Sequence, residues 1–410
     1  MGGALLELVA LGDQDKHLIG KPQISFFKSV YKHHTNFAIE SKPQYFKEMT
    51  GFGNKISCTI ERYADLVHNV MLEIHLPAIG DASTNISWIN SIGHHIIEEV
   101  EIEIGGMVID KHDSTFLEIY SELNLPNSLQ KGYYKMIGKN DFFTNITHKN
   151  ALKLYIPLNF WFCKNIGQAL PLIALQYHEV KINIKLRNFK DCWYSGSDGN
   201  GNMNSTTPSN IQISKCVLYC DYIFLDIAER RKFAQSSHEY LIEQVQHNVK
   251  NHVNDDKTFS NINLKFNHPV KELIWCFQLS DANKLNDWNN FSNTPTDDNN
   301  PSTQIEILKS AKLSINGNER FQERDAEYFR LVQPFYHHTR IPNNFFYCYS
   351  FSIHPEKHQP SGTLNFSRID NTLITFQFID NVKACSTNIY AINYNILKIM
   401  SGMGGLLYSN

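Results

Sequence analysis

Apolar and polar residues alternate with a period of two along several short stretches of this chain. Residues 54–60, 69–76, 99–104 and 180–186 each carry an apolar side chain at about every second position. That spacing puts one set of side chains in a core and the other toward water or a second layer. The stretches are short and bounded by turn residues, which predicts a sandwich or barrel and not alternating strand and helix units. The pattern becomes strand-like from about Ile24. Before it, Leu5, Leu6, Leu8, Val9 and Leu11 cluster as on a short amphipathic helix, which either packs on its own domain or is spare surface for a partner.

The pattern also echoes itself. Residues 100–106 are followed by a polar turn and then by 114–123, with Phe116, Ile119 and Tyr120 at helical spacing. About 211 residues later, 311–317 are followed by a polar turn and by 324–332, with Tyr328, Leu331 and Val332 spaced likewise. Asp113 or Ser114 would cap the first helix and Asp325 the second. The offset is half the chain, as two copies of one domain would give. Between the copies, residues 226–246 are rich in Glu, Arg, Lys and Gln, with Phe233, Tyr240 and Leu241 spaced for one or two short helices. Two polar stretches, 194–210 and 281–301, read as long loops, the second with Trp288 and Phe291 embedded.

Composition fits this picture. A chain of 410 residues exceeds one ordinary core, so two domains of roughly 150–200 residues are expected. With 42% hydrophobic residues, 19 Tyr and 26 Phe, both can bury real cores, and strands are favoured over helices. The net charge of −3 argues against a protein that coats nucleic acid, which would need a basic face. The eight cysteines show no pairing rhythm and sit mostly in apolar runs, as buried reduced thiols do, pointing to an intracellular place of folding. Cys216 and Cys220 would share a strand face about 13 Å apart, too far to bridge. There is neither a signal peptide nor an apolar run of 18 residues. Met1-Gly2-Gly3 invites myristoylation, but Leu6 stands where that motif needs Ser or Thr.

Candidate chemistry is sparse. The pairs His33-His34, His94-His95 and His337-His338 would point to opposite faces of a strand, which rarely gives two ligands to one ion. No HExxH, CxxC, phosphate-binding glycine loop or GxSxG elbow occurs. Glu98-Glu99 and Asp255-Asp256 read as solvated charge. No catalytic, cofactor or metal site is expected, and no enzyme activity. Sequons stand at Asn85, Asn145, Asn204, Asn290 and Asn365. Asn204 and Asn290 lie in the two long loops and are the candidates for modification.

Several segments in order resemble one family. They are residues 1–10, Gln14-Asp15 and 18–22, then 22–41, 229–244, 331–340, 359–370 and 393–402. Together they resemble the double jelly-roll major capsid proteins of nucleocytoplasmic large DNA viruses, end to end. The resemblance implies an all-β fold of two consecutive eight-stranded jelly rolls with short helices in the connections. It places an N-terminal arm at 1–24, jelly roll 1 at 25–225, a connector at 226–246 and jelly roll 2 at 247–410. Residues 393–402 would be the last strand plus a tail closing the second barrel. It implies a homotrimer forming a pseudo-hexagonal capsomer that tiles an icosahedral virion shell, assembled in the host cytoplasm and without direct nucleic-acid contact. Leu5, Leu6, Leu8 and Val9 of the arm would meet minor capsid proteins and the inner-membrane side. Asn204, Trp288 and Asn290 would sit in outer loops. A minor capsid paralogue of the same fold and a jelly-roll carbohydrate-binding protein are the alternatives.

Overall fold

The computed structural model describes residues 2–79, 86–140, 150–195, 208, 211–280, 286–294 and 304–409. Contacts divide the chain into residues 1–36 and 37–410. The first unit holds the helices Gly3–Val9 and Lys16–Ile19, and neither buries a residue. The strand-like pattern expected from about Ile24 is not realised there, and the first strand begins only at Phe37. β-propensity without a pairing neighbour does not make a strand.

In chain order the strands are β1 Phe37–Gln44, β2 Lys55–Thr59, β3 Leu66–Leu76, β4 Ser87–Trp88, β5 Ile97–Ile104, β6 Met107–Asp113, β7 Leu152–Pro157, β8 Val180–Leu186, β9 Trp193–Tyr194 and β10 Lys215–Leu225. They continue as β11 His238–Val253, β12 Phe259–Asn263, β13 Pro269–Leu279, β14 Leu308–Ile315, β15 Asn318–Asp325, β16 Phe346–Ser350, β17 Leu364–Asn365, β18 Thr372–Phe378, β19 Cys385–Met400 and β20 Met403–Leu406. The first half forms two antiparallel sheets, β1-β10-β3-β7 and β2-β8-β5-β6. The second half forms β11-β19-β13-β16, to which β17 and β20 add, and β12-β18-β14-β15. With the short β4, β9, β17 and β20 set aside, both halves have the same order: first-eighth-third-sixth and second-seventh-fourth-fifth. That is the jelly roll, built twice.

Period two does what the sequence demanded of it. On β18 the burial alternates strictly, and on β5 nearly so. The inward residues make one core per half: Ile56, Cys58, Leu72, Val100 and Ile182 in the first, and Leu273, Trp275, Phe277, Leu313 and Phe376 in the second.

The internal echo is the fourth and fifth strands of each roll. Each polar turn is in fact the tip and return strand of a hairpin, β5–β6 and β14–β15. Gly105-Gly106 have φ of +58° and +86°, and Asn316-Gly317 have +48° and +81°. Two successive positive φ angles make the tight hairpin turn that suits twisted strands. A Cβ on Gly106 or Gly317 would touch nothing, so backbone conformation alone asks for glycine there. After the first hairpin comes the helix Ser114–Asn124, capped by Asp113, whose side chain accepts from the Phe116 N–H at 2.8 Å. The second copy departs from the echo: after Asp325 ends β15, the helical run that follows contains a π-helical turn Tyr328–Val332, which leads into the helix Gln333–His337.

The segment between the halves also differs from its expectation. Only Ile227–Gln235 is helical, while Tyr240 and Leu241 lie on β11, which pairs along its length with β19. The neighbouring strand overrides a weak helical pattern.

Candidate assembly surfaces

The two halves of residues 37–410 are joined by buried polar clusters. On the helix Ser114–Asn124, Glu118 and Glu122 stand four apart and so share one face. Lys139 Nζ donates to Glu118 at 2.5 Å and to Glu122 at 2.6 Å. His94 Nδ1 and Ser91 Oγ both lie 2.7 Å from Glu118. From the second half, Arg340 Nη2 pairs with Glu122 at 2.6 Å, and its Nε donates to the Glu122 carbonyl at 2.8 Å. Burial opposes ionisation of Glu118, but Lys139 and His94 outweigh it and hold its carboxyl well below the usual range. Burial likewise works against charge on Lys139, and Glu118 and Glu122 reverse that, raising its pKa.

A second cluster uses the connecting strand. Glu243 on β11 accepts from Lys164 of the first half at 2.9 Å and from Lys271 of the second at 2.5 Å. Burial would raise its pKa; the two ammonium groups overcome this and hold it at about 2. His338 lies between Glu272 at 3.1 Å and Glu356 at 3.0 Å. Burial disfavours its charge, while Cys348 and Glu272 raise its pKa well above the ordinary value. The Cys348 thiol is itself pushed up by burial and stays neutral near pH 7, so the carboxylates supply the field.

Between these clusters Phe116, Ile119 and Leu123 of the first half pack on Ile274, Phe346, Tyr390 and Ile392 of the second. The chain end adds a clamp. β19 is the eighth strand of the second roll, and beyond it the chain turns back into β20, which pairs with β19 and reaches the first half. His178 Nδ1 lies 2.9 Å from the Gly404 carbonyl, and the Gly404 backbone sits against Leu175 and Ile104.

The histidine pairs are accounted for by position. His94 and His95 lie on the short helix Ile92–His95 and not on a strand. His94 bonds Glu118 and Tyr133, while His95 stacks on Trp288 at 4.8 Å. Among the described residues no group of three or more His, Cys, Asp or Glu side chains is placed to hold a metal ion. No described helix is long and apolar enough to cross a membrane.

Among the described residues, three groups of exposed apolar side chains bear on assembly. In residues 1–36, Leu5, Leu6, Leu8 and Val9 are all more than half exposed. In the second half Phe335 and Tyr336, both 69% exposed, stack edge-on at 5.3 Å, and His337 Nδ1 binds the carbonyl of the exposed Ile353 at 3.0 Å. Val332 extends this patch. On the first half, Tyr177 lies against Gly402, and Met400 and Met403 flank it, all three side chains exposed. Sequence reasoning missed the last two patches. Their only sign was large apolar residues beside a helix and a hairpin end, where a core role is the simpler reading.

The loop residues need correcting. Trp288 is half-buried, its ring between His95 and the Arg187 guanidinium, and Asn290 is buried, its amide donating to the Thr294 carbonyl at 3.1 Å. Neither is displayed at an outer surface, because this part of the loop folds inward between the halves. Asn204, Asn85 and Asn145 lie outside the described residues. Asn365 is exposed, with its side-chain oxygen accepting from the Ser367 N–H.

Two family descriptions match the chain in succession: major capsid protein N-terminus over residues 25–226, and large eukaryotic DNA virus major capsid protein over residues 229–405. The major capsid protein of Pyramimonas orientalis virus is 41% identical, and that of Paramecium bursaria Chlorella virus 1 is 38% identical, each over the full length of both chains. Among solved structures, a chain of the PBCV-1 virus capsid aligns with a TM-score of 0.78 at 35% identity, covering 94% of this chain and 100% of its own.

Proposed function

The chain belongs to the major capsid protein family of large eukaryotic DNA viruses, and on that premise we propose how its surfaces serve assembly. It is a structural protein of the virion shell and not an enzyme. Three copies close into a ring about a threefold axis, six jelly rolls in all, giving a pseudo-hexagonal capsomer that tiles a facet. The observation that carries this reading is the doubled strand order, with both rolls locked by buried charge and apolar contact into one rigid block. A closed ring of identical blocks needs two different, mutually complementary patches on each copy. The Phe335–Tyr336–Ile353 patch is one side of that contact, and the Tyr177–Met400–Met403 patch on the first half supplies its counterpart in the neighbouring copy.

The arm expected at 1–24 is taken to run to residue 36, with 37–225 and 238–410 as the two rolls and 226–237 as the connector. Leu5, Leu6, Leu8 and Val9 on the arm meet minor capsid proteins on the inner side of the shell. Their exposure supports this: a helix none of whose apolar side chains is buried offers them to a partner.

Light scattering of the purified protein at several concentrations, with negative-stain images of the same sample, tests the ring. The expected species has three times the 47.3 kDa chain mass and a six-sided outline. A particle that stays monomeric on concentration rejects it.

A further inference from the structure

A cleft of about 610 Å³ opens between the two halves, beside the Glu122–Lys139–Arg340 cluster. Seven of its twelve lining residues are carboxamides. The first half contributes Asn90, Gln130 and Asn140, and the second contributes Asn289, Gln304, Asn343 and Asn344. Two of these amides are buried without a hydrogen-bond partner: Asn344 is 4% exposed, Asn289 is 8% exposed, and the side-chain nitrogen of each is unsatisfied. A buried amide donor with no acceptor is costly, and native interiors tolerate few of them. Two lining one cleft mark a place where a ligand supplies the missing acceptors.

The charges around the cleft are already matched. Glu122 is neutralised by Lys139 and Arg340, and Arg330 by Glu306 at 3.0 Å. An ionic ligand would meet side chains whose formal charges are already paired. The two aromatic rings are covered as well, Tyr134 by Lys139 at 4.7 Å and Phe345 by Arg330 at 5.3 Å. A stacking ligand would therefore find no open ring face. What remains on offer is the pair of unsatisfied amide donors on Asn289 and Asn344, in a volume typical of small-molecule sites.

We propose that this inter-roll cleft binds a compact neutral polyhydroxyl molecule, of the size and chemistry of a monosaccharide. Hydroxyls donate and accept in every direction without charge, which is what a cage of carboxamides complements. Because both halves line the cleft, the occupant also bridges the two rolls. The inference is independent of the capsomer reading, since it concerns one chain.

Saturation-transfer NMR on the purified full-length protein, with glucose and glycerol as neutral probes and acetate, phosphate and acetylglycinamide as controls, tests it. Glucose is expected to bind saturably with a dissociation constant of about 1–10 mM, as the low efficiency of small polar ligands implies. Asn344→Leu and Asn289→Leu, made separately, should each weaken binding about tenfold while leaving the melting temperature of the unliganded protein unchanged or higher, since each removes an unsatisfied buried donor. Tighter binding of any control than of glucose overturns the proposal. So does an absence of saturable glucose binding in the wild-type protein, or glucose affinity that neither substitution changes.

Discussion

At the scale of single residues, the decisive groups are charges held largely away from solvent. Glu243 holds two lysines from opposite halves, so Glu243→Gln leaves the buried Lys271 ammonium and the part-exposed Lys164 ammonium around a neutral amide. Breaking one side of such a cluster typically costs about 3–5 kcal/mol, and that loss should appear as a lower urea midpoint with an unchanged slope. The same residue sets an acid limit. Its carboxyl is held at about 2 in the folded chain, against about 4.3 when unfolded. Its contribution is complete above the unfolded value and fades as pH falls through that interval. His338 acts in the opposite sense. Its folded pKa is raised, so its contribution is complete below about pH 6.5 and is lost as pH climbs through the raised value. Melting temperature followed from about pH 6 to 9 should therefore decline in the wild type. In His338→Gln the decline should be shallower, from a lower starting point. An equal slope in the two proteins would assign the alkaline loss to some other group. None of this was legible in the sequence. Glu243, Lys271 and Glu272 look there like solvated charge, because the partners that bury them lie dozens of positions away.

At the scale of elements, what the sequence showed and what it concealed divide along one physical line. Strands with a wet face and a dry face are visible, because burial writes a period of two into them; 180–186 matches β8 residue for residue. Strands whose residues are mostly exposed are not. β15 is exposed at all but one position and carries Glu, Arg, Gln and Asp, so its pairing with β14 leaves no hydrophobic trace. In the sequence its residues read as a polar turn, and so do those of β6. β11 was taken for helix because its polar residues bond across the junction, as Gln244 does to the Ile109 carbonyl. The helices at the junction carry another constraint. A Cβ on Gly93, in the helix Ile92–His95, would stand 2.8 Å from the carbonyl oxygen and 2.9 Å from the Cα of Ile137, where the helix Asn127–Ile137 ends. Backbone cannot rotate away as a side chain can. Gly93→Ala should thus destabilise by about 1–3 kcal/mol, as overpacking does, although alanine is the better helix former. A thermal melt equal to or above that of the wild type would mean the two helices can separate freely.

At the scale of the whole molecule, duplication explains how each of three chains can supply two of the six sides of a ring. The two rolls share a strand order but not a surface, and the difference lies at the elements following the second hairpin. After β6 the chain makes a capped helix whose apolar face is buried between the halves. After β15 it makes a π-helical turn and a short helix, and Phe335 and Tyr336 are left outside. Equivalent positions thus became a seam inside the chain in one copy and a bare patch in the other. If that patch seats a neighbouring chain, Phe335→Asp with Tyr336→Asp should reduce the scattering mass from three chains to one. Melting of the isolated chain should stay as it was, because neither ring contributes to a core. The Met403→Asp variant should produce the same loss from the other side of the contact. A trimer that survives the first substitution but not the second would move the seam away from the Phe335 face. It would leave those two aromatics, like the leucines of the arm, to face a partner other than this chain.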